Sequence, residues 1–271
     1  MPILGIDYDK CINCDICLSA CTDPELYIKK NQKQDKIIFE DPNNWCNKCG
    51  QCIAQCPEDA IIYEGMGESF TFEELNSLDS LISYETLFKF LAANRSVRKY
   101  KKEKVPEDVL KKVIQAMYYA STAANMKSEN FYVISDPEKI KALSDAIFEE
   151  HVKEPSEKEH WIDKKERYNK TNRDPVYYNA PHLIVVTSNF NMLMEGFNIG
   201  NIITYGRLAA QALGLGTCWN GYTTLAIQKN PKIRKIADIR GNVVAAFTIG
   251  YPAVNFHRVS PRSPNKTKGL T

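Results

Sequence analysis

Cysteine placement limits what this chain can become more than any other feature. Cys11, Cys14, Cys17 and Cys21 are separated by two, two and three residues, and Cys46, Cys49, Cys52 and Cys56 repeat that spacing thirty-five residues later. The text after each fourth cysteine also runs in parallel, Thr22-Asp-Pro-Glu-Leu-Tyr-Ile28 against Pro57-Glu-Asp-Ala-Ile-Ile-Tyr63, which marks duplication of one structural unit. A disulfide framework needs an oxidising compartment. The opening Met1-Pro2-Ile3-Leu4-Gly5-Ile6-Asp7 has neither the basic nor the apolar region of a secretory signal, so a cytoplasmic, reduced setting is expected. Zinc takes tetrahedral sets, commonly two Cys-x2-Cys pairs set well apart. Three close cysteines with a fourth three residues on is instead the run that holds a cubane iron-sulfur cluster, and it occurs twice. Cys218 stands apart and reads as a buried packing residue.

These runs resemble the bacterial-type ferredoxins that carry two 4Fe-4S clusters. The resemblance implies that Cys11, Cys14, Cys17 and Cys56 hold one cluster and that Cys46, Cys49, Cys52 and Cys21 hold the other. The family's proline after the fourth cysteine is present as Pro57, whereas Thr22 takes its place in the first run. Between the runs, Leu26-Tyr27-Ile28 and Lys36-Ile37-Ile38-Phe39 flank a polar Asn31–Asp35 tip, the pattern of a β-hairpin. Complete sets of thiolate ligands suit electron transfer, so the rest of the chain is expected to use electrons.

Two hundred and seventy-one residues suit two domains, and 44% hydrophobic with 25% charged residues is an ordinary globular balance. No apolar run approaches the roughly 18 residues of a membrane span. Residues 1–64 hold 6 Lys+Arg against 11 Asp+Glu, which makes them net −5 and leaves the remainder at +7. The basic residues of the remainder are interspersed with acidic ones and form no stripe, so nucleic acid is not an expected partner. The sequence predicts a ferredoxin-like domain over 1–64, a Gly-containing linker over 65–83 and a larger domain over 84–271.

In the larger domain, Tyr84 to Ala93 predicts a helix with Leu87, Phe88 and Leu91 on one face. A second helix starts at Pro106 and runs to about Ala120, with Val109, Val113, Ile114 and Met117 inward. Phe131–Ser135 reads as a strand, Pro137–Glu150 as a helix capped by Asp136, and the charged 151–179 as a mobile excursion or exposed helix. Ala180–Ser188 and Gly241–Gly250 read as strands, and Glu195–Leu213 as a long helix ended by Gly214. Without strict βα alternation the expected class is α+β, a layered sheet flanked by helices. Gly214-Leu-Gly216 follows a helix and lacks a third glycine, which excludes a dinucleotide-binding turn.

Four short texts remain: Asn94-Arg-Ser-Val-Arg-Lys-Tyr100, Ala120-Ser-Thr-Ala-Ala-Asn125, Gly214-Leu-Gly-Thr-Cys-Trp-Asn-Gly221, and Gly250-Tyr-Pro252 with a basic tail. In this order, over 84 to about 264, they resemble the flavin-dependent nitroreductase family, which binds FMN at the interface of an intertwined homodimer. The resemblance implies Arg95 and Ser96 at the FMN phosphate, with Arg98 at the N1/O2 edge of the ring. Asn94 replaces the first of the family's two arginines, which shifts phosphate binding toward the tail, to Arg262 and secondarily Arg258. Ser121, Thr122 and Asn125 would hydrogen-bond the ring, and Lys127-Ser128-Glu129 replaces the family's Gln-Pro-Trp, bringing Lys127 near the substrate pocket. Asn220 and Gly221 would bring backbone to flavin N5 and O4. No side-chain acid or nucleophile is required, because the flavin carries the chemistry.

Together the two resemblances imply an FMN-dependent oxidoreductase. Electrons would pass from a donor protein such as ferredoxin through two 4Fe-4S clusters to FMN, and then to a small electron-poor acceptor, a nitro compound or quinone. Two alternatives are an NAD(P)H-dependent nitroreductase and a non-catalytic electron-transfer or redox-sensing module.

Overall fold

The computed structural model describes residues 3–31, 33–189, 194–263 and 269. The opening Met1-Pro2, Gln32 at the expected hairpin tip and most of the segment after 263 therefore lie outside the described residues. The chain divides into two compact units: Met1–Leu81 with Ala123–Met126, and Ile82–Thr122 with Lys127–Thr271. The division after Leu81 falls inside the segment expected as linker.

The N-terminal unit contains β1 (Ile3–Ile6), α1 (Ile16–Ala20), α2 (Pro24–Tyr27), β2 (Ile28–Asn31), β3 (Lys36–Phe39), α3 (Gln51–Ala54), β4 (Ile61–Tyr63) and α4 (Leu78–Leu81). β1 pairs antiparallel with β4, and β2 with β3 in the register Ile28↔Phe39 to Asn31↔Lys36. The expected hairpin forms, with one correction. Leu26 and Tyr27 belong to the helical turn α2 opened by Pro24, and the strand starts only at Ile28. Ile3, Ile6, Ile28, Ile37 and Ile61 form a small core together with Cys17 and Cys52.

The larger unit contains α5 (Tyr84–Ala92), α6 (Glu107–Tyr118), β5 (Glu129–Ile134), α7 (Pro137–Val152), α8 (Pro155–Asn169), β6 (His182–Ser188), α9 (Glu195–Ala212), β7 (Gly216–Trp219), α10 (Gly221–Lys229) and β8 (Asn242–Gly250). Its sheet is antiparallel in the order β5-β6-β8-β7. Every residue of β6 is buried, and alternate side chains serve opposite faces. Leu183 and Val185 pack with Leu143 and Ile147 of α7 and Ala226 and Ile227 of α10. Ile184 and Val186 pack with Val113 and Met117 of α6 and Ile199, Ile202 and Ile203 of α9. Helices thus cover both faces, which is the expected layered α+β arrangement.

Asp136 caps α7 as expected, its carboxylate accepting from the Glu138 and Lys139 amides. Pro106 is the N-cap of α6, with φ −56° and ψ 147°, and not its first helical residue. The sequence pattern predicts neither β7 nor α10. Of the two readings of 151–179, the mostly exposed helix holds as α8 and the loose excursion does not, because Trp161 and Lys164 anchor it. Trp161 of α8 is 1% exposed, stacks on His151 at 4.7 Å and meets Tyr222 edge-on. His151 is held between Glu157 Oε2 at 2.8 Å and the Tyr222 carbonyl at 3.1 Å.

Lys164, one turn beyond Trp161, is also buried, with its ammonium 4.3 Å from the Trp161 and Tyr222 ring centroids and no hydrogen-bond acceptor among the described residues. Burial is the main cause that brings its pKa from 10.5 down to about 8. The unfolded chain therefore binds more protons between these values, so this residue's contribution to stability rises with pH from about 8 to 10.5 and is lowest below that window. Lys164→Met is expected to remove that rise. Urea unfolding of the two proteins at a series of pH values checks it, and parallel stability curves would contradict the assignment.

Candidate functional site

In the N-terminal unit the cysteines gather around two cavities. Cys11, Cys14, Cys17 and Cys56 line one with Ile6, Ile37 and Ile61. Cys21, Cys46, Cys49 and Cys52 line the other with Ile3, Ile28 and Phe39. Each cavity thus takes three cysteines from one run and the fourth from the other.

The loop backbone explains why the runs are so tight. Asn13 and Asp15 have φ of 61° and 62°, and at the duplicated positions Lys48 and Gly50 have φ of 58° and 76°. Left-handed residues at alternate positions curl the loop tightly, and curled backbone of this kind can turn N–H groups toward an anionic centre. Asp41, 4% exposed, fixes the entry to the second loop by accepting from the Trp45 and Cys46 amides at 2.8 and 3.0 Å. Burial raises the pKa of the Cys17 thiol, and that of Cys52 to about 12, with neighbouring cysteines of the same cavity adding to both. Thiolates in such a place need a strong positive charge beside them, which iron supplies. Donor type, donor number and backbone cradle all fit two iron-sulfur clusters.

The larger unit holds a cleft of about 420 Å³ lined by Leu91, Asn94, Arg95, Ser96, Arg98, Thr204, Arg207, Leu208 and Arg262. Its first wall is the Asn94–Arg98 segment, stitched to β7 by the Val97 amide, which donates to the Thr217 carbonyl at 2.8 Å. That close approach accounts for the second glycine of Gly214-Leu-Gly216. A Cβ on Gly216 would lie 2.6 Å from Val97 Cγ2, closer than side chains tolerate. Gly214 meets a different need, ending α9 with φ +73°. Asn94 is occupied elsewhere in the wall, its amide donating to Gln211 Oε1 at 2.7 Å while Gln211 donates to the Phe90 carbonyl.

The cleft brings together Arg95, Ser96, Arg98 and Arg262 of the residues expected at the cofactor, but Arg258 is exposed and outside its lining. Asn220 is 2% exposed, and its side chain is spent inside the protein. It donates to the Val176 carbonyl at 2.7 Å and caps α10 by accepting from Thr223. Gly221 opens α10 with nothing within 4 Å of where its Cβ would be, which leaves room for a ligand against the backbone.

Lys127 Nζ donates to the Tyr118 carbonyl at 3.1 Å, and its amide to Thr122 Oγ1 at 3.4 Å. The Ser121 carbonyl accepts from Asn201 Nδ2 at 3.2 Å. Asn125 groups with the N-terminal unit, where its side-chain amide donates to the Asn47 and Lys48 carbonyls at 3.2 and 2.7 Å. Its amide hydrogens are thus committed next to a cysteine loop. Sequence reasoning missed Thr204, Arg207 and Leu208. The available signal was a polar Thr204–Arg207–Gln211 ridge at helical spacing in α9.

Two cysteine cavities joined in one chain to a sheet domain with an arginine-lined cleft define an oxidoreductase with iron-sulfur centres. Residues 91–251 match the nitroreductase family model, and residues 10–65 match the 4Fe-4S dicluster domain. The chain belongs to the nitroreductase family and carries a 4Fe-4S dicluster domain ahead of the family's own.

Among its relatives is a putative NADH dehydrogenase/NAD(P)H nitroreductase of Methanothermobacter thermautotrophicus, 25% identical over 66% of this chain and 83% of that protein. The N-terminal part is 39% identical to the pyruvate synthase subunit PorD of Methanothermobacter marburgensis, over 22% of this chain and 62% of that subunit. A nitroreductase of Bacteroides fragilis, crystallised with bound FMN, shares the fold with a TM-score of 0.56 and 22% identity over 68% of this chain and 97% of its own. No helix among the described residues is long and apolar enough to cross a membrane.

Proposed function

We propose that this chain is a homodimeric FMN-dependent oxidoreductase that draws electrons from a carrier protein such as ferredoxin through its two clusters and delivers them to a small electron-poor acceptor, a nitro compound or quinone. The observation that carries this reading is the cleft where Arg95, Arg98 and Arg262 converge beside Ser96. No carboxylate lines it, and none of these arginines forms an ion pair among the described residues. Unpaired guanidinium groups held together repel one another and favour an anion that accepts bidentate hydrogen bonds, as a phosphate monoester does.

Bound FMN would accept electrons at its ring and pass them to the acceptor. Arg95, Ser96 and Arg262 would hold its phosphate. Arg98 would place a positive charge at the ring edge that gains negative charge on reduction, raising the potential. The Thr223 amide is taken by the Asn220 cap, and the Gly221 and Tyr222 amides at the start of α10, beside the open space at Gly221, would offer hydrogen bonds to the opposite ring edge.

The similarity to an NAD(P)H nitroreductase favours a second reading in which NAD(P)H is the donor. The clusters favour the first, because a hydride donor acting at the flavin has no need of them. Metal and flavin analysis of anaerobically purified protein tests the composition. About eight irons, eight acid-labile sulfides and one FMN per chain are expected. Two tightly bound zinc ions without sulfide, or no flavin, would overturn it.

A further inference from the structure

We infer that Arg207 is a phosphate-binding residue of this chain, which supplies from α9 the positive charge absent at Asn94. The inference rests on the reading of the arginine-lined cleft as the FMN phosphate site. Arg207 lies one turn from Thr204 on the same face of α9, and both line the cleft with Arg95, Ser96 and Arg262. Its Nε donates to Thr217 Oγ1 at 3.3 Å, the one protein hydrogen bond the guanidinium makes among the described residues. The two terminal nitrogens are left to a ligand. Thr217 is also the residue whose carbonyl holds the Val97 amide, so one short strand sets the position of Arg207 and of the Arg95–Ser96 wall.

The electrostatics point the same way. Arg207 is half-buried, and burial, with repulsion from Arg95, lowers its pKa without taking it out of the charged state. A cation that is desolvated and close to another cation, with no carboxylate in the lining, is stabilised only when an anion arrives. Asn94 cannot serve as that cation. Its side chain is neutral and is tied through Gln211 to the same helix. Four guanidinium groups, Arg95, Arg98, Arg207 and Arg262, then face a single cleft, and one of them comes from a helix that the arginine-rich text before it gives no reason to suspect.

The test is equilibrium binding of FMN and of riboflavin to flavin-free protein with its clusters intact, for the parent, Arg207→Ala, Arg207→Lys and the double variant Asn94→Arg with Arg207→Ala. Arg207→Ala is expected to weaken FMN binding by about ten- to a hundredfold while leaving riboflavin affinity unchanged, the size of one lost charge-assisted contact to phosphate. Arg207→Lys should lose less, and restoring arginine at 94 should recover most of the loss. Equal weakening of FMN and riboflavin, or no change in FMN affinity, would overturn the assignment of Arg207 while leaving the cleft reading standing. If the parent itself binds FMN no more tightly than riboflavin, the cleft is not a phosphate site and both readings fall.

Discussion

Stripping iron from the reduced protein with a chelator is expected to unfold residues 3–63 while the four-stranded domain keeps its structure. The N-terminal unit has little else to hold it. Its buried core consists of five isoleucines and two cysteines, and its four strands are three or four residues long. Domains this small seldom bury enough apolar surface to be stable without cross-links or metal. Burial raises the Cys17 and Cys52 thiols above their usual range, so holding them as cluster thiolates couples iron binding to folding of this unit. The larger unit has extensive cores on both faces of β6 and needs no such support. Hydrogen exchange read by mass spectrometry separates the two. Loss of protection confined to the N-terminal unit is expected, and retained protection there after complete iron removal would contradict the account.

Phe88→Glu is expected to break a dimer into monomers and to release most of the flavin. The α5 helix forms where the sequence predicts it, capped by Ser83, yet none of its nine residues is buried. Tyr84, Leu87, Phe88 and Leu91 are 73%, 39%, 56% and 44% exposed, with the Tyr84 and Phe88 rings stacked at 6.0 Å. An isolated helix of this length is marginal in water, and a contiguous apolar face of this kind marks a contact surface. A second copy of the chain covers such a face economically, because a two-fold axis uses every buried side chain twice. Burying a phenylalanine contributes about 1.5–3 kcal/mol, so losing two and introducing two buried carboxylates should shift the dimer dissociation constant by at least about a hundredfold. Leu91 lines the arginine cleft as well as this face, which ties flavin retention to dimerisation. Sedimentation velocity with flavin absorbance checks both effects. An unchanged dimer holding its flavin would contradict the role given to α5.

Sequence pattern revealed much of this because the strongest constraints are local. Cluster ligation needs cysteines within one tight loop, and β6 is a continuous apolar run because helices cover both its faces. The features that stayed hidden depend on packing between distant segments. β7 is only four residues long and is defined by β8 and by the Val97 amide. Trp161 and Lys164 lie in a charged stretch whose mean character is that of an exposed helix, and only the rings of His151 and Tyr222 show why they are inside. The apolar spacing of α5 predicts a helix with an oily face but does not show that this face stays exposed among the described residues. Arg207 is masked for a similar reason, since one arginine in a long helix ordinarily points to solvent. Asn220 shows the opposite case: its position beside the cofactor was expected from a motif, while its side chain turned out to serve as a helix cap.

The central claim is that electrons enter at the cysteine-rich unit and reach the flavin from there. Stopped-flow monitoring of flavin bleaching, with the full-length protein mixed anaerobically either with reduced low-potential ferredoxin or with NADH or NADPH, tests it most directly. Much faster bleaching by ferredoxin, with cluster absorbance falling no later than that of the flavin, is the expected result. Faster reduction by NADH or NADPH, with the clusters reduced only afterwards, would contradict it and make the pyridine nucleotide the donor.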